Sequence, residues 1–545
     1  MERTLPARPS MLQLSHEAKD LLRSFTAGDP SALQRLRESH PRAERGSQLR
    51  LSDAQLVLAR EYGFSSWPKL KRHVEGLRGV DERVDRLRKS FAAADHDTRE
   101  RLLSGVHTRI RFQDYDPDAT QLSERDARLV VANEEGYAFW SKYESYLYLD
   151  PTVQQVIAAA RRGELATMVG LLRADPAAAN PRWVRGHTSE QIPNDSIPLD
   201  CVSEGVFYGT NTQRNDYQLA RALIRAGADV DVDNGGPLKT AVSYYAPGAV
   251  RALLEAGAAV DSPEGNGMPM AYALGFGFSD IAELLADHGA QLDLRFAAGL
   301  GRLDLVKSFV NVDGSLSPDA GRLADPYENW FRCERTRANV LCQALNFACV
   351  HLRMEVADYL LELGADVNQE VPGLNQLGGT VLHALTAGVP AGASRDSHAD
   401  DDRRIPVIRL LLQHGADVTL QDSRFHSTPL GWADHHGSQR IFDLLAPMAG
   451  VHDAVRFCLL DRLQVLLRTE PALADSRDSV GPTPLQHLDA GHPHALEAVE
   501  ILIRFGAQPN LRDPADKALV QRLVAAGRFE VVSALRRAAA ADIPR

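Results

Sequence analysis

The sequence predicts an all-α solenoid, a fold in which short helix–turn–helix units stack side by side. The main observation is a tripeptide, Gly-Ala-Asp or a close variant, that recurs after Leu-rich helical segments. Its copies begin at Gly227, Gly257, Gly289, Gly364, Gly415 and Gly506. The first three copies are 30 and 32 residues apart, and a recurrence of that size is typical of stacked repeat proteins.

The second observation is the pair of short helices that precedes each tripeptide. In the clearest unit, residues 267–274 and 279–288 form two helical segments separated by a Gly-containing turn. Ile281, Leu284 and Leu285 follow the i, i+3, i+4 spacing of a helix with one buried face. Gly289 suits the left-handed position that ends such a helix. Helices of this length are not stable alone in water, so each must stack on its neighbours.

Several units open with a Thr-Pro-Leu motif, in which Thr caps the helix and Pro occupies its first turn. Clear copies begin at Thr428 and Thr483, and looser ones lie at 380–383, 197–200 and 237–240. From about residue 153 onwards the chain therefore resembles the ankyrin-repeat family, in particular large bacterial ankyrin-repeat proteins. The resemblance implies short β-hairpin or turn fingers between helix pairs, a concave groove lined by the inner helices, and the binding of other proteins.

The first 150 residues contain a different internal copy. Residues 53–63 and Trp67 align with residues 126–136 and Trp140 at a constant offset of 73. We expect divergent ankyrin-like pairs in 1–150, although a separate small helical domain would give the same pattern. We then expect the ankyrin-repeat solenoid in 151–514 and capping helices in 515–545.

Four segments interrupt the repeats and are expected to be surface insertions: 184–195, 206–216, 317–339 and 388–404. The insertion at 317–339 contains Trp330 and Phe331, which are residue types that dominate interface energetics. Two interpretations remain open for these aromatic residues. They contact a partner, or they fold back and anchor their own loop.

Composition restricts the classes of partner. The net charge of −11 disfavours non-specific binding to nucleic acid, which depends on neutralising phosphates. Charged residues interrupt every apolar run, so no membrane partner is expected. The N-terminus lacks the apolar core of a secretory signal, and the 5 scattered cysteines do not form a disulfide framework. We expect a cytoplasmic protein, and the excess of Arg and Ala suggests a bacterial gene.

No motif predicts a cofactor, a metal or a catalytic centre. Residues 229–235 resemble the start of a calcium loop but lack its Gly and its bidentate Glu. Residues 434–436, Asp-His-His, match one tripeptide of a phosphoesterase metal signature and lie inside a repeat helix. His383 occupies the motif histidine position, where the family uses it for hydrogen bonding within the repeat. The sequence therefore predicts that the protein is not an enzyme.

The repeat register predicts a protein-binding surface. The position after the four-residue opening motif holds Tyr272, Phe296, Phe347 and Trp432, and the position four residues later holds Phe276, Leu300, His351 and His436. Residues at i and i+4 share one helical face. We expect Phe296 and Phe347 to pack between helices, whereas exposure and burial are both open for Tyr272, Phe276 and Trp432. The candidate binding residues are Tyr244, Tyr272, Phe276, Trp330, Phe331, His351, Trp432 and His436.

These observations favour a non-enzymatic scaffold that binds a protein or peptide partner, of unknown identity, through the concave groove and loop tips. The alternative is an enzyme or toxin-like effector with a site in residues 1–150 or in the 317–339 insertion. A deep pocket with convergent His, Asp or Arg side chains would favour the enzyme. Exposed aromatic residues along the inner helices would favour the scaffold.

Overall fold

The protein is described by a computed structural model. It describes residues 5–6, 9–40, 49–64, 66–94, 99, 121–135, 137, 140–182, 196–325, 333–372, 378–387 and 397–541. The chain divides into two compact units, Met1–Glu264 and Gly265–Arg545, called unit 1 and unit 2 below.

The described residues of unit 1 form helices and turns. Its α-helices are α1 (Met11–Thr26), α2 (Pro30–Ser39), α3 (Leu51–Glu61), α4 (Trp67–Ala93), α5 (Glu124–Glu134), α6 (Trp140–Leu147), α7 (Pro151–Arg161), α8 (Leu165–Ala174), α9 (Pro198–Phe207), α10 (Asp216–Arg225), α11 (Val232–Ser243) and α12 (Pro247–Glu255). A short 3₁₀ helix covers Pro176–Ala179.

The described residues of unit 2 also form helices and turns. Its α-helices are α13 (Met268–Gly275), α14 (Ser279–Asp287), α15 (Leu294–Gly299), α16 (Leu303–Ser308), α17 (Arg337–Val350), α18 (Met354–Glu362), α19 (Val381–Thr386), α20 (Ser397–Gln413), α21 (Pro429–His435), α22 (Gln439–Leu445), α23 (Val451–Arg456), α24 (Leu460–Thr469), α25 (Ala495–Arg504), α26 (Pro514–Ala525) and α27 (Phe529–Ala541). Its 3₁₀ helices are Ala446–Met448, Pro471–Asp475 and Pro484–His487.

The helices stack as the repeat pattern predicts, which confirms the all-α fold class. In unit 1 the first helices of successive pairs, α7, α9 and α11, pack in a row, and so do the second helices α8, α10 and α12. In unit 2 the first helices α13, α15, α17, α19 and α21 form the same kind of row. The expected hairpin fingers are turns here, because the described residues contain only two isolated β-bridges, at Val310–Leu316 and Glu370–Thr380.

The glycine that opens each Gly-Ala-Asp copy ends a helix in the left-handed conformation. All six predicted glycines have φ between 84° and 104°. A side chain with a Cβ atom is strained there, so the recurrence of Gly has a direct conformational cause. After Gly227 the chain turns back immediately, and the Ala228 N–H donates to the carbonyl oxygen of Leu223 at 3.0 Å.

Two of the Gly-Ala-Asp tripeptides are hydrogen-bonded to an Asn side chain from an earlier turn. In unit 1 the Asn180 amide donates to the Gly227 carbonyl oxygen at 2.7 Å and accepts from the Asp229 N–H at 2.8 Å. In unit 2 Asn368 bonds the Gly415 carbonyl at 3.0 Å and the Asp417 N–H at 2.8 Å. We call this two-bond arrangement the asparagine clasp. It fixes one turn against the next, because the two bonds together set both distance and orientation.

Replacing Asn368 by Ala should lower the free energy of unfolding by about 1–2 kcal/mol, because two hydrogen bonds between turns are lost. The same change at Asn180 should have a similar effect. Urea denaturation followed by circular dichroism measures both. A suitable control is N311A, whose amide bonds only Ser315 in its own turn and should cost less. An unchanged midpoint in N368A would contradict a role for the clasp.

The two N-terminal sequence copies share the same turn and helix start in the structure. Trp67 and Trp140 each start a helix, and the Phe64 and Tyr137 N–H groups donate to Ala59 and Ala132 at 2.8 and 2.9 Å. The copies then diverge, since α4 has 27 residues and α6 has 8. Small separate hydrophobic cores support these helices, one around Leu58 and Phe64 and another around Phe91 and Val131.

Arg161 connects the second N-terminal copy to the helix pairs that follow in unit 1. Its guanidinium donates to the Tyr137 hydroxyl at 2.6 Å and to the Glu204 carboxylate at 2.6 and 2.8 Å. Tyr137 and Glu204 are both buried, with 3% exposure each. A buried carboxylate needs such a partner, because desolvation would otherwise disfavour its charge.

In unit 2 a buried ionic network surrounds Arg295 on α15, which is fully buried. Its guanidinium pairs with Asp293 at 2.7 Å and with Asp325, and it donates to the Gln343 side chain at 2.9 Å. Arg335 reaches the Asp325 carboxylate at 2.7 Å from the other side of residues 326–332. Within the segment expected to be an insertion at 317–339, this ion pair joins the described residues that precede and follow 326–332.

Of the other three segments expected to be insertions, the structure describes one in full and one in part. Residues 183–195 and 388–396 are outside the described residues. Residues 206–216 contain the turn between α9 and α10, and α20 begins at Ser397, within the expected 388–404 insertion. The C-terminal segment for which capping helices are expected contains α26 and α27, which pack on each other.

Candidate protein-binding surface

Tyr272 and Phe276 on α13 form a stacked aromatic pair. Their ring centroids are 5.8 Å apart with an interplanar angle of 19°, and both side chains are half-buried. Phe276 also contacts the buried ring of Phe278 at 5.9 Å. Burial raises the pKa of the Tyr272 hydroxyl. The i, i+4 register therefore brings these two residues together as predicted, with part of each ring accessible to solvent.

Tyr244 belongs to a more exposed cluster in unit 1 that the sequence analysis missed. Its ring stacks on Phe207 with centroids 4.6 Å apart and an interplanar angle of 19°, and Tyr208 packs edge-on against Phe207 at 5.1 Å. Phe207 is 52% exposed and Tyr208 46% exposed. We call Phe207, Tyr208 and Tyr244 the aromatic platform. It lies where α9 and α11 end.

The register explains why Phe207 and Tyr208 were overlooked. Tyr244 stands at the same repeat position as Phe276, but the equivalent residue of α9 is Gly205. A Cβ atom on Gly205 would lie 2.4 Å from the Arg161 carbonyl oxygen, so only Gly fits there. The aromatic side chains come two and three residues later, at the end of the helix. An alignment by register alone does not find them.

His351 is buried, with 6% exposure, and both ring nitrogens are bonded. Nε2 lies 2.9 Å from the Leu274 carbonyl oxygen and Nδ1 lies 2.6 Å from the Ser279 hydroxyl. The carbonyl can only accept, so Nε2 carries the proton and Nδ1 accepts from the hydroxyl. His351 thus offers no free polar group to a partner. It holds the turn between α13 and α14, which carries Phe276.

Burial, together with the charge of Arg353, lowers the pKa of His351 to about 4, although the Leu274 bond opposes this shift. Because the unfolded chain binds the proton near pH 6.5, stability from the neutral histidine is complete above that pH. It is lost as the pH falls from 6.5 to 4, by up to roughly 3 kcal/mol.

Replacing His351 by Asn, whose amide can both donate and accept, should remove this pH dependence. The difference in unfolding free energy between wild type and H351N should shrink as the pH falls from 7 to about 4. Urea denaturation at several pH values measures it. A difference that stays constant across this range would contradict the assignment of a neutral, buried His351.

Trp432 is buried, with 8% exposure, which decides between the two interpretations left open for it. Its indole N–H donates to the Asp422 carboxylate at 3.0 Å, and its ring stacks on the exposed His436 with centroids 5.4 Å apart. Phe425, which is 46% exposed, packs edge-on against the same ring at 5.7 Å. Trp432 therefore supports two accessible rings and presents little surface of its own.

Asp422 organises the turn that carries Phe425. Its carboxylate accepts from the backbone N–H groups of Arg424 and Ser427, at 2.9 and 3.0 Å, as well as from Trp432. Burial opposes ionisation of Asp422, but these hydrogen bonds and one from the Phe425 N–H outweigh it and lower the pKa of the carboxyl. The turn is therefore fixed before any partner binds.

Replacing Trp432 by Phe should destabilise unit 2 by about 1–3 kcal/mol, because a buried carboxylate oxygen loses a donor. H436A is the matched control, since it removes the exposed stacked ring and leaves the Asp422 bond intact. Thermal and urea denaturation measure both variants. If W432F were as stable as H436A, the indole bond would not support the turn.

The remaining sequence predictions for this region concern packing and chemistry. Phe296 and Phe347 are buried as expected, with ring centroids 6.3 Å apart. Trp330 and Phe331 lie outside the described residues. His383 accepts from the Thr380 N–H at 3.1 Å and bonds the Ser427 carbonyl at 3.1 Å, so it has the hydrogen-bonding role predicted for it.

Two of the three carboxylates in the calcium-like segment accept hydrogen bonds from backbone N–H groups. Asp229 accepts from the Asp231 N–H at 3.0 Å, and Asp231 accepts from the Ala259 N–H at 3.0 Å. Within the described residues, no group of three or more His, Cys, Asp or Glu side chains is arranged to hold a metal ion. In the same residues no helix is both long and apolar enough to cross a membrane.

No protein-family model matches the chain, and no curated protein matches it. Among solved structures, the chain is similar to the ankyrin repeat domain of Bcl-3, described as a unique member of the IkappaB protein family. The two are 19% identical over 53% of this chain and 97% of that domain, with a TM-score of 0.22. At this TM-score the similarity supports no conclusion about a site, a partner or an activity.

Proposed function

We propose that the chain is a non-enzymatic ankyrin-repeat scaffold that binds a protein or peptide partner through aromatic side chains at the ends of its first helices and on its turns. The exposed aromatic platform of unit 1 carries this proposal. Phe207 and Tyr208 together leave about half of their surface in solvent while their rings pack on each other and on Tyr244. Rigid, exposed aromatic rings are the side chains that contribute most to protein interfaces.

In unit 2 the proposed surface comprises Tyr272, Phe276 and His436, with Phe425 added. His351 and Trp432 act beneath this surface, where they fix the turns that carry Phe276 and Phe425. Trp330 and Phe331 remain proposed partner contacts of the 317–339 segment. In both units the proposed contacts follow the first helices or their adjoining turns, as the resemblance to ankyrin proteins implies for a groove.

The alternative of an enzyme or toxin-like effector gains no support from the charged residues beside the 317–339 segment. Arg295, Asp293 and Asp325 bind one another in a buried network, so their charges are already paired and none is left to act on a substrate. We further propose, from composition, that the scaffold is bacterial and acts in the cytoplasm.

The test is affinity capture with the full chain, followed by binding measurements with the purified partner. We expect F207A/Y208A to weaken that binding by about tenfold or more, with little change in thermal stability, because both rings are exposed. The matched control is L12A, which truncates an apolar side chain of the same unit that is 68% exposed. Wild-type affinity in both F207A/Y208A and Y272A would contradict the proposed surface.

A further inference from the structure

Unit 2 contains an open cavity of about 600 Å³ near its C-terminal end. Helices of four successive repeats contribute to its wall, and its lining includes aromatic, cationic and acidic groups. Phe442 on α22 and Phe457 after α23 pack edge-on with centroids 5.2 Å apart, and Leu488 and Ala490 extend this apolar wall.

Two arginines line the cavity, and among the described residues neither forms an ion pair. Asp453, one turn before Arg456 on α23, is buried and accepts from the Thr428 hydroxyl at 2.6 Å. Burial raises the pKa of its carboxyl, although the charge of Arg456 opposes this shift. Arg456, at the end of α23, lies over the Phe457 ring at 5.1 Å from its centroid. Arg522, on α26, is exposed and donates to the Gln486 carbonyl oxygen at 3.0 Å. The buried arginines Arg295 and Arg404 each pair with a carboxylate, whereas half-buried Arg462 donates to the Ala449 carbonyl oxygen at 2.8 Å. Two guanidinium groups without an ion pair, placed together in one cavity beside an apolar wall, point to an anionic ligand.

The other polar groups of the cavity narrow the choice of anion. Asp434, which is exposed, and Asp489, which accepts from the Gly491 N–H at 2.9 Å, line the cavity and form no ion pair with Arg456 or Arg522. His487 and His492 complete the polar lining, and His487 is bonded to the Asp478 carboxylate at 2.8 Å. An inorganic anion would face the carboxylates of Asp434 and Asp489 and an apolar wall. A peptide supplies a carboxylate for the guanidinium groups, N–H donors for the aspartates and an apolar side chain for the wall. The net charge of −11 argues against a nucleic acid as the anion.

We propose that this cavity binds a peptide segment in which a carboxylate lies next to an aromatic or large aliphatic side chain. The proposal rests on the scaffold function and adds the chemistry of its partner. The guanidinium groups of Arg456 and Arg522 bind the carboxylate, and Phe442, Phe457 and Leu488 contact the apolar side chain. The carboxylate is that of an Asp or Glu side chain, so that backbone N–H groups on both sides of it can donate to Asp434 and Asp489.

The test uses a random linear peptide library displayed against the full chain, followed by fluorescence anisotropy with synthetic copies of the enriched peptides. We expect enriched sequences with an acidic group beside an apolar residue. R456Q and R522Q should each weaken binding by about tenfold, because each removes a charge-assisted hydrogen bond. R468Q, which makes the same change on α24 outside the cavity lining, should bind like wild type. Glu→Gln peptides should lose binding, whereas C-terminal amidation should leave it unchanged; the reverse result would reject a side-chain carboxylate as the ligand.

Three outcomes would overturn the proposal: enriched peptides without an acidic group, no enrichment, or unchanged affinity in both R456Q and R522Q. Thermal denaturation of the variants shows that they are folded, so lost binding is not lost structure. Peptides or a partner that depend on Phe207 and Tyr208 but not on Arg456 would reject the cavity and leave the scaffold function intact. Binding that depends neither on Phe207 and Tyr208 nor on Arg456 would reject both the cavity and the scaffold function.

Discussion

The fold depends on the fact that no helix pair in this chain can bury its apolar face alone. Most helices of the repeats have 6 to 12 residues, which is too short for independent stability. Each pair is stable only because its neighbours cover it, and the asparagine clasps at Asn180 and Asn368 fix the turns of these neighbours against each other. Stability in such a stack is the sum of local contacts between adjacent pairs.

Much of this arrangement is readable from the sequence, because its cause is local. A glycine of positive φ opens each of the six Gly-Ala-Asp copies at the end of a helix, and Thr428 caps α21 through the Gly431 N–H at 3.2 Å. Features that depend on distant contacts are not readable. The 27-residue length of α4 and the pairing of Arg295 with Asp325 follow from packing between segments far apart in sequence.

In the candidate surface, too, the features set within one helix could be predicted and those set by distant contacts could not. The register correctly brought Tyr272 and Phe276 onto one face of α13, since that spacing is a property of the helix itself. It did not distinguish Tyr272 from Trp432, which share a repeat position but differ in exposure. Trp432 is covered because Asp422 folds a turn and Phe425 over it, and nothing in the helix encodes that contact. The cavity between Arg456 and Arg522 depends on several repeats at once, which no single-repeat pattern reveals.

The network around Arg295 has a consequence for how the chain can vary. Asp325 is bonded to Arg295 of α15, and Arg335 pairs with Asp325 and donates to the Leu323 carbonyl oxygen at 2.9 Å. The two ends of residues 326–332 are therefore fixed independently of what the residues between them do. Such a site tolerates loops of different length and composition, so a new recognition loop could be grafted there without disturbing the helices that support it.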